Sequence, residues 1–202
     1  MRLLPILLFL AVSTLARATS VIPPSFPELV SEADAIYRGR VTDLEARRAT
    51  APDGTSIIKT YVTVAIDRTL KGAARGAITL EFLGGTIGDE SMVVTGMPKF
   101  NLGAAEYVFV QRNGVQFCPL VAMGHGRYRI LRDPATARDH LVRDNGVPLT
   151  DLAEIAVPLN TLPAPVRAAG ASSAVARALA PADFEAGIVS EVLRPTVRAR
   201  DN

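Results

Sequence analysis

The chain has 202 residues, with 22 lysines and arginines against 20 acidic residues. Arg2 and Arg17 fall in the first eighteen residues, so the remainder balances at 20 against 20. That scattered charge excludes the clustered basic surface a nucleic-acid partner requires. The lone cysteine, Cys118, excludes a disulfide framework.

The start has the order of an export signal. Arg2 is the positive end, Leu3 to Val12 is apolar apart from Pro5, and Ala16-Arg17-Ala18 is a small-x-small cleavage site. Cleavage is expected between Ala18 and Thr19. The apolar run is about half of the ~18 residues that a membrane span needs. No cysteine adjoins the cleavage site to carry a lipid, and the tail Arg194 to Asn202 is polar. A periplasmic or secreted protein is therefore expected, with no membrane attachment after cleavage. Its 184 residues (202 minus 18) suffice for one domain with a real core plus an appendage.

Ser25-Phe26-Pro27-Glu28 predicts a capping box opening a helix over Phe26 to Ala33, with Leu29 and Val30 inward. A strand over Ala35 to Arg47 follows, with Tyr37, Gly39 and Val41 on one face and Ile36 with the arginines on the other. Ala51-Pro52-Asp53-Gly54 predicts a turn. Ile57 to Leu70 alternates through Val62, Val64 and Ile66, and Ile78, Leu80 and Phe82 alternate again up to Gly84-Gly85. A fourth strand is expected over Glu106 to Arg112, a hairpin turn at Asn113-Gly114, and a fifth strand over Gln116 to Met123. Gly124-His125-Gly126 breaks the chain. A last hairpin is expected from Tyr128 to Leu131 and His140 to Arg143, around Asp133-Pro134. From Pro163 to Pro181 the composition turns to alanine, proline, serine and glycine, which predicts a linker or a loose helix. A helix over Pro181 to Leu193 is expected to present Phe184, Ile188, Val189 and Val192 on one face.

Short strands at close spacing argue for a mostly β, antiparallel fold, and closure into a barrel would remove unpaired edges. The organisation read from this is a signal peptide over 1–18, a β domain over 19–150, a linker over 151–181, and a C-terminal helix and tail over 182–202.

The order Ala33-Asp34-Ala35-Ile36-Tyr37-Arg38-Gly39-Arg40-Val41, then Thr69-Leu70-Lys71-Gly72, Ile78 to Phe82, a Gly-rich connection and Gly103 to Val110 resembles the netrin-like module. That module is the OB-type barrel of tissue inhibitors of metalloproteinases, and secreted bacterial proteins share its layout. The likeness runs from Ser25 to Arg132. It implies an OB-like antiparallel barrel and a habit of binding proteins. It does not imply zinc-directed inhibition, because those inhibitors present an N-terminal cysteine and this chain is expected to begin at Thr19.

His125 and His140 are the only histidines, fourteen residues fall between them, and no zinc spacing results. His125 between two glycines is either a turn residue or an exposed residue with a role. Gly84-Gly85-Thr86-Ile87-Gly88 matches a nucleophile elbow only loosely, and Ser91 beside Asp89-Glu90 has no partner in sequence. No metal or cofactor is expected. Cys118 in an apolar stretch reads as core, with a redox or dimer-forming thiol as the alternative. The connection Gly84 to Gly103 exceeds ordinary loop length and carries Met92, Val93, Val94, Met97 and Phe100. Those side chains either plug the end of the barrel or form a binding surface. The functional expectation is an exported, non-enzymatic module that binds another protein, a protease among the candidates, through Met92, Met97, Phe100 and His125. A small hydrolase using His125 and a passive cell-envelope component are the alternatives.

Overall fold

The computed structural model describes residues 22–160 and 168–194. The expected signal, its cleavage at Ala18–Thr19 and the tail beyond 194 lie outside the described residues. Helix α1 (Phe26–Glu32) starts as its capping box dictates. The Ser25 Oγ accepts from the Glu28 amide at 3.4 Å, and Glu28 Oε2 accepts from the Ser25 amide at 2.8 Å. Phe26, Leu29 and Val30 are buried.

Strands β1 (Ala35–Thr50) and β2 (Ser56–Lys71) form one long antiparallel hairpin around the Ala51–Gly54 turn. The other strands are β3 (Ala77–Leu83), β4 (Gly85–Ile87), β5 (Glu90–Met92), β6 (Ala105–Val110), β7 (Arg127–Arg132) and β8 (Asp139–Arg143). Six of them make one antiparallel sheet in the order β3-β2-β1-β6-β7-β8, and β4 with β5 makes a separate ribbon. The mostly β, antiparallel class stands. The six-stranded sheet is not closed: β3 and β8 are its edges.

The expected fifth strand over Gln116 to Met123 does not form. Pro119 has no amide to donate to a ladder. Arg112, Ala122 and Met123 take positive φ, which turns the chain at both ends of the segment. The segment instead runs as a strap that bonds to strands on both sides. Leu83 N donates to Phe117 O at 2.8 Å, and Val121 N donates to Phe109 O at 3.0 Å. The Asn113 amide acts as one residue of a neighbouring strand. Its Oδ1 accepts from Glu81 N at 3.0 Å and its Nδ2 donates to Thr79 O at 2.8 Å. The edge of β3 is thus covered by a side chain and a strap, which blunts it against pairing with another chain.

The sheet buries both faces. On one, Tyr37, Val41, Val62, Val64, Leu80, Phe82, Val108, Cys118 and Leu120 form a core. On the other, Ile36, Tyr107, Phe109, Tyr128 and Leu141 pack under α1 and the C-terminal helix α3 (Pro181–Leu193). Ile36, expected on the face of the arginines, is fully buried there. The arginines beside it serve α3. Arg38 and Arg68 reach the buried Glu185 at 3.2 and 2.7 Å, and the Tyr107 hydroxyl donates to Glu185 at 2.7 Å.

Phe184 and Ile188 point inward, but Val189 and Val192 are each 38% exposed, against the expected shared face. At 3.6 residues per turn they sit about 140° and 80° round from Phe184. The expected linker also contributes to the fold. A 3₁₀ turn over Leu152–Ala156 buries Ile155, and the backbone of Leu179 bonds both Leu141 and Leu149. A helix α2 (Ala168–Arg177) precedes it.

The stretches Ala33 to Val41 and Thr69 to Gly72 have physical reasons. Gly39 lies at an irregularity of the β1–β2 ladder, where a Cβ would collide with the Ala65 carbonyl oxygen and come within 2.7 Å of Val64. Asp34 accepts from the Arg112 amide at 2.7 Å, which ties the start of β1 to the end of β6. Lys71 Nζ donates to the Val30 and Ser31 carbonyls at 2.7 and 2.9 Å, capping the last turn of α1. Gly72, at φ +87°, packs on Asp34 and Ala35.

Candidate functional site

The long β1–β2 hairpin extends past the rest of the sheet, and its inner face needs a cover. The Gly84–Gly103 connection supplies it. At the end of β3 the Gly84 amide donates to Ile58 O at 2.7 Å, and the Thr60 hydroxyl donates to Gly84 O at 2.7 Å. Gly84 and Gly85 have φ of 97° and 144°, and a Cβ on Gly85 would come within 2.5 Å of the Thr60 hydroxyl. Only glycines let the chain double back this closely onto β2. The β4–β5 ribbon then lies over the hairpin, with Glu90 held by Arg48.

The returning arm, 93–103, is pinned from below. Phe100 packs on Phe82, with ring centres 5.1 Å apart, and the Arg127 guanidinium lies 4.3 Å from the centre of the Phe100 ring. Arg127 Nη1 donates to Lys99 O at 2.7 Å. Two carboxylates hold that guanidinium. Glu106 accepts from Nε and Nη2 at 2.7 and 2.6 Å, and Asp144 accepts from Nη1 at 2.7 Å. Glu106 and Arg127 are both buried. Burial pushes the Glu106 carboxyl up, and the Arg127 hydrogen bonds pull against it.

Between arm, ribbon and hairpin lies a pocket of about 490 Å³, within the size range of ligand sites. Leu44, Val62, Phe82, Met92, Met97 and Phe100 form most of its apolar wall. Val93, also in the lining, is 87% exposed. Met97 and Phe100 pack against the core, while Val93 stands at the rim.

No protein-family model and no curated protein matches the chain.

Of the expected site residues, Met92, Met97 and Phe100 are brought together in the pocket, and His125 is not. His125 sits in a 3₁₀ turn (Met123–Gly126), 5% exposed, with its Nδ1 buried and unpartnered among the described residues. Arg143 donates to the carbonyls of Ile155 and Val157, and Asn145 donates to Leu159 O at 3.0 Å. These side chains hold the 152–159 segment against the domain, so the surroundings of His125 are structural. Ser91 is exposed, and its hydroxyl bonds that of Thr86 across the β4–β5 ribbon. Cys118 is buried and its thiol is pushed up to about 11 by burial, in keeping with a core side chain. Among the described residues, no group of three or more His, Cys, Asp or Glu is placed to hold a metal.

The buried imidazole of His125 predicts acid sensitivity. Burial, reinforced by the Arg143 charge, lowers it from 6.5 to about 4. The unfolded chain then binds a proton at a pH where the folded chain does not. This contribution is full above about pH 6.5 and is lost as pH falls towards 4, by roughly 3 kcal/mol in total. Urea midpoints across pH 4 to 7.5 for wild type and for His125→Asn should converge as the pH falls. Parallel curves would remove this assignment.

Arg127 and Glu106 escaped the reading of the sequence, as did the pocket walls Leu44, Val62 and Phe82. The available signal was a charge at the edge of an apolar strand, Glu106 before Tyr107 to Val110 and Arg127 before Tyr128. Such charges are rarely buried unless paired.

Proposed function

We propose that the protein is an exported, non-enzymatic binding module that seats an apolar group of a partner protein in the pocket beneath the Gly84–Gly103 connection. The observation that carries this is the pocket itself. An apolar recess is open at Val93, and its roof is anchored by a buried ion cluster rather than left loose. Met92 and Met97 give walls that adapt to a guest. The hydrolase alternative loses support because His125 is buried away from this recess, and the passive alternative leaves an exposed Val93 beside an apolar pocket without a role.

We also propose that the domain is a netrin-like, OB-type barrel left partly open. The support is a five-strand run, β3-β2-β1-β6-β7, in an antiparallel sheet whose β3 edge is met by the 111–121 strap. A protease remains a candidate partner through that resemblance alone.

The test is capture from periplasm or culture fluid by three versions of the protein: wild type, Leu44→Trp to fill the pocket, and Val93→Asp at its rim. A partner held by wild type should be lost at least tenfold from both variants at unchanged thermal midpoints. Equal capture by the filled-pocket variant would end this reading.

A further inference from the structure

We infer that the group seated in the pocket belongs to an acidic apolar peptide: a large apolar side chain with a carboxylate beside it, the carboxylate meeting Lys99. This rests on the proposed reading of the pocket as the binding site and adds the chemistry of the partner.

The argument is one of charge. Among the described residues, Lys99 is the one charged residue in the pocket lining. Four basic residues on the elements that form or anchor the pocket are paired with carboxylates. Arg47 is paired with Glu45, Arg48 with Glu90, Lys59 with Glu81, and Arg127 with Glu106 and Asp144. Asp89, in the turn between β4 and β5, is outside the lining. Lys99 has no carboxylate partner among the described residues, and it is exposed. Its backbone is fixed, because Lys99 O accepts from Arg127 and the next residue, Phe100, lies under the same guanidinium. An exposed ammonium on a flexible stem thus rises from a fixed backbone in the lining of an apolar recess. Its complement is an anion next to an apolar anchor, and a cationic or neutral neighbour meets it less favourably.

The experiment titrates the isotopically labelled full chain with three capped tetrapeptides, glycine–phenylalanine–X–glycine, where X is aspartate, asparagine or lysine. The amide shifts of residues 84–101 are followed. At 20 mM salt the aspartate peptide should bind about three- to fivefold more tightly than the asparagine peptide, the size of an exposed ion pair, and the lysine peptide more weakly than either. The advantage should shrink at 500 mM salt. Lys99→Glu, which alters only an exposed side chain, should invert the order. Three equal affinities at the pocket would overturn the acidic preference while leaving the pocket as the site. No shift of residues 84–101 with any peptide would overturn both.

Discussion

Arg127→Met is expected to destabilise the protein by about 3–5 kcal/mol, the cost of stripping one partner from a buried ion cluster. The guanidinium is 2% exposed and Glu106 is fully buried, so the substitution leaves a carboxylate in the core without its counter-charge. Water cannot replace the two short hydrogen bonds that Glu106 accepts. The urea midpoint should fall accordingly, with a larger deficit at pH 7 than at pH 5, where a neutral Glu106 is tolerated. The sign follows from burial. An unpaired buried carboxyl has its folded pKa raised, so its stability contribution is lost as pH rises through the unfolded and then the folded value. A double variant, Arg127→Met with Glu106→Leu, should recover much of the loss, because an apolar pair of similar volume needs no desolvated charge. A single variant within about 1 kcal/mol of wild type would show that the cluster is not buried as described.

Phe184→Ala should cost a similar amount, about 3–5 kcal/mol, by opening a cavity among aromatic rings. The Phe184 ring lies 5.9 Å from Phe26, 5.2 Å from Tyr107, 6.1 Å from Phe109 and 5.0 Å from Tyr128, centre to centre. It joins α1, β6 and β7 to the C-terminal helix, and the neighbouring Glu185 ties the same helix to Arg38, Arg68 and Tyr107. Hydrogen exchange should show α3 amides losing protection first, while the centre of the β1–β2 hairpin keeps its own core of Val62, Val64 and Leu80. Uniform loss of protection across both faces would show a single cooperative core and remove the distinction between them.

The expectation for the Gly84–Gly103 connection rested on length and on apolar residues out of place in a loop, and both signals survive in three dimensions. Met92, Met97 and Phe100 do converge, because Gly84-Gly85 folds the chain back on Thr60. What could not be seen was the far wall. Leu44, Val62 and Phe82 belong to three strands, and only register brings them opposite the loop. For His125 the two flanking glycines left a turn residue and an exposed residue both open. It is a buried turn residue, and Val121 and Asp144 crowd Gly126 and Gly124.

By itself the sequence determined what depends on neighbours along the chain. The Ser25–Glu28 cap, the period-two strands, the Ala51–Gly54 turn and the last hairpin are all local choices of backbone conformation. Only the tertiary structure decided which faces were covered. Ile36 is buried by a helix some 150 residues away in sequence, Pro119 lies in a strap, and Arg127 lies under Phe100. These outcomes depend on long-range packing and on pairing of buried charge, neither of which leaves a periodic mark in the chain.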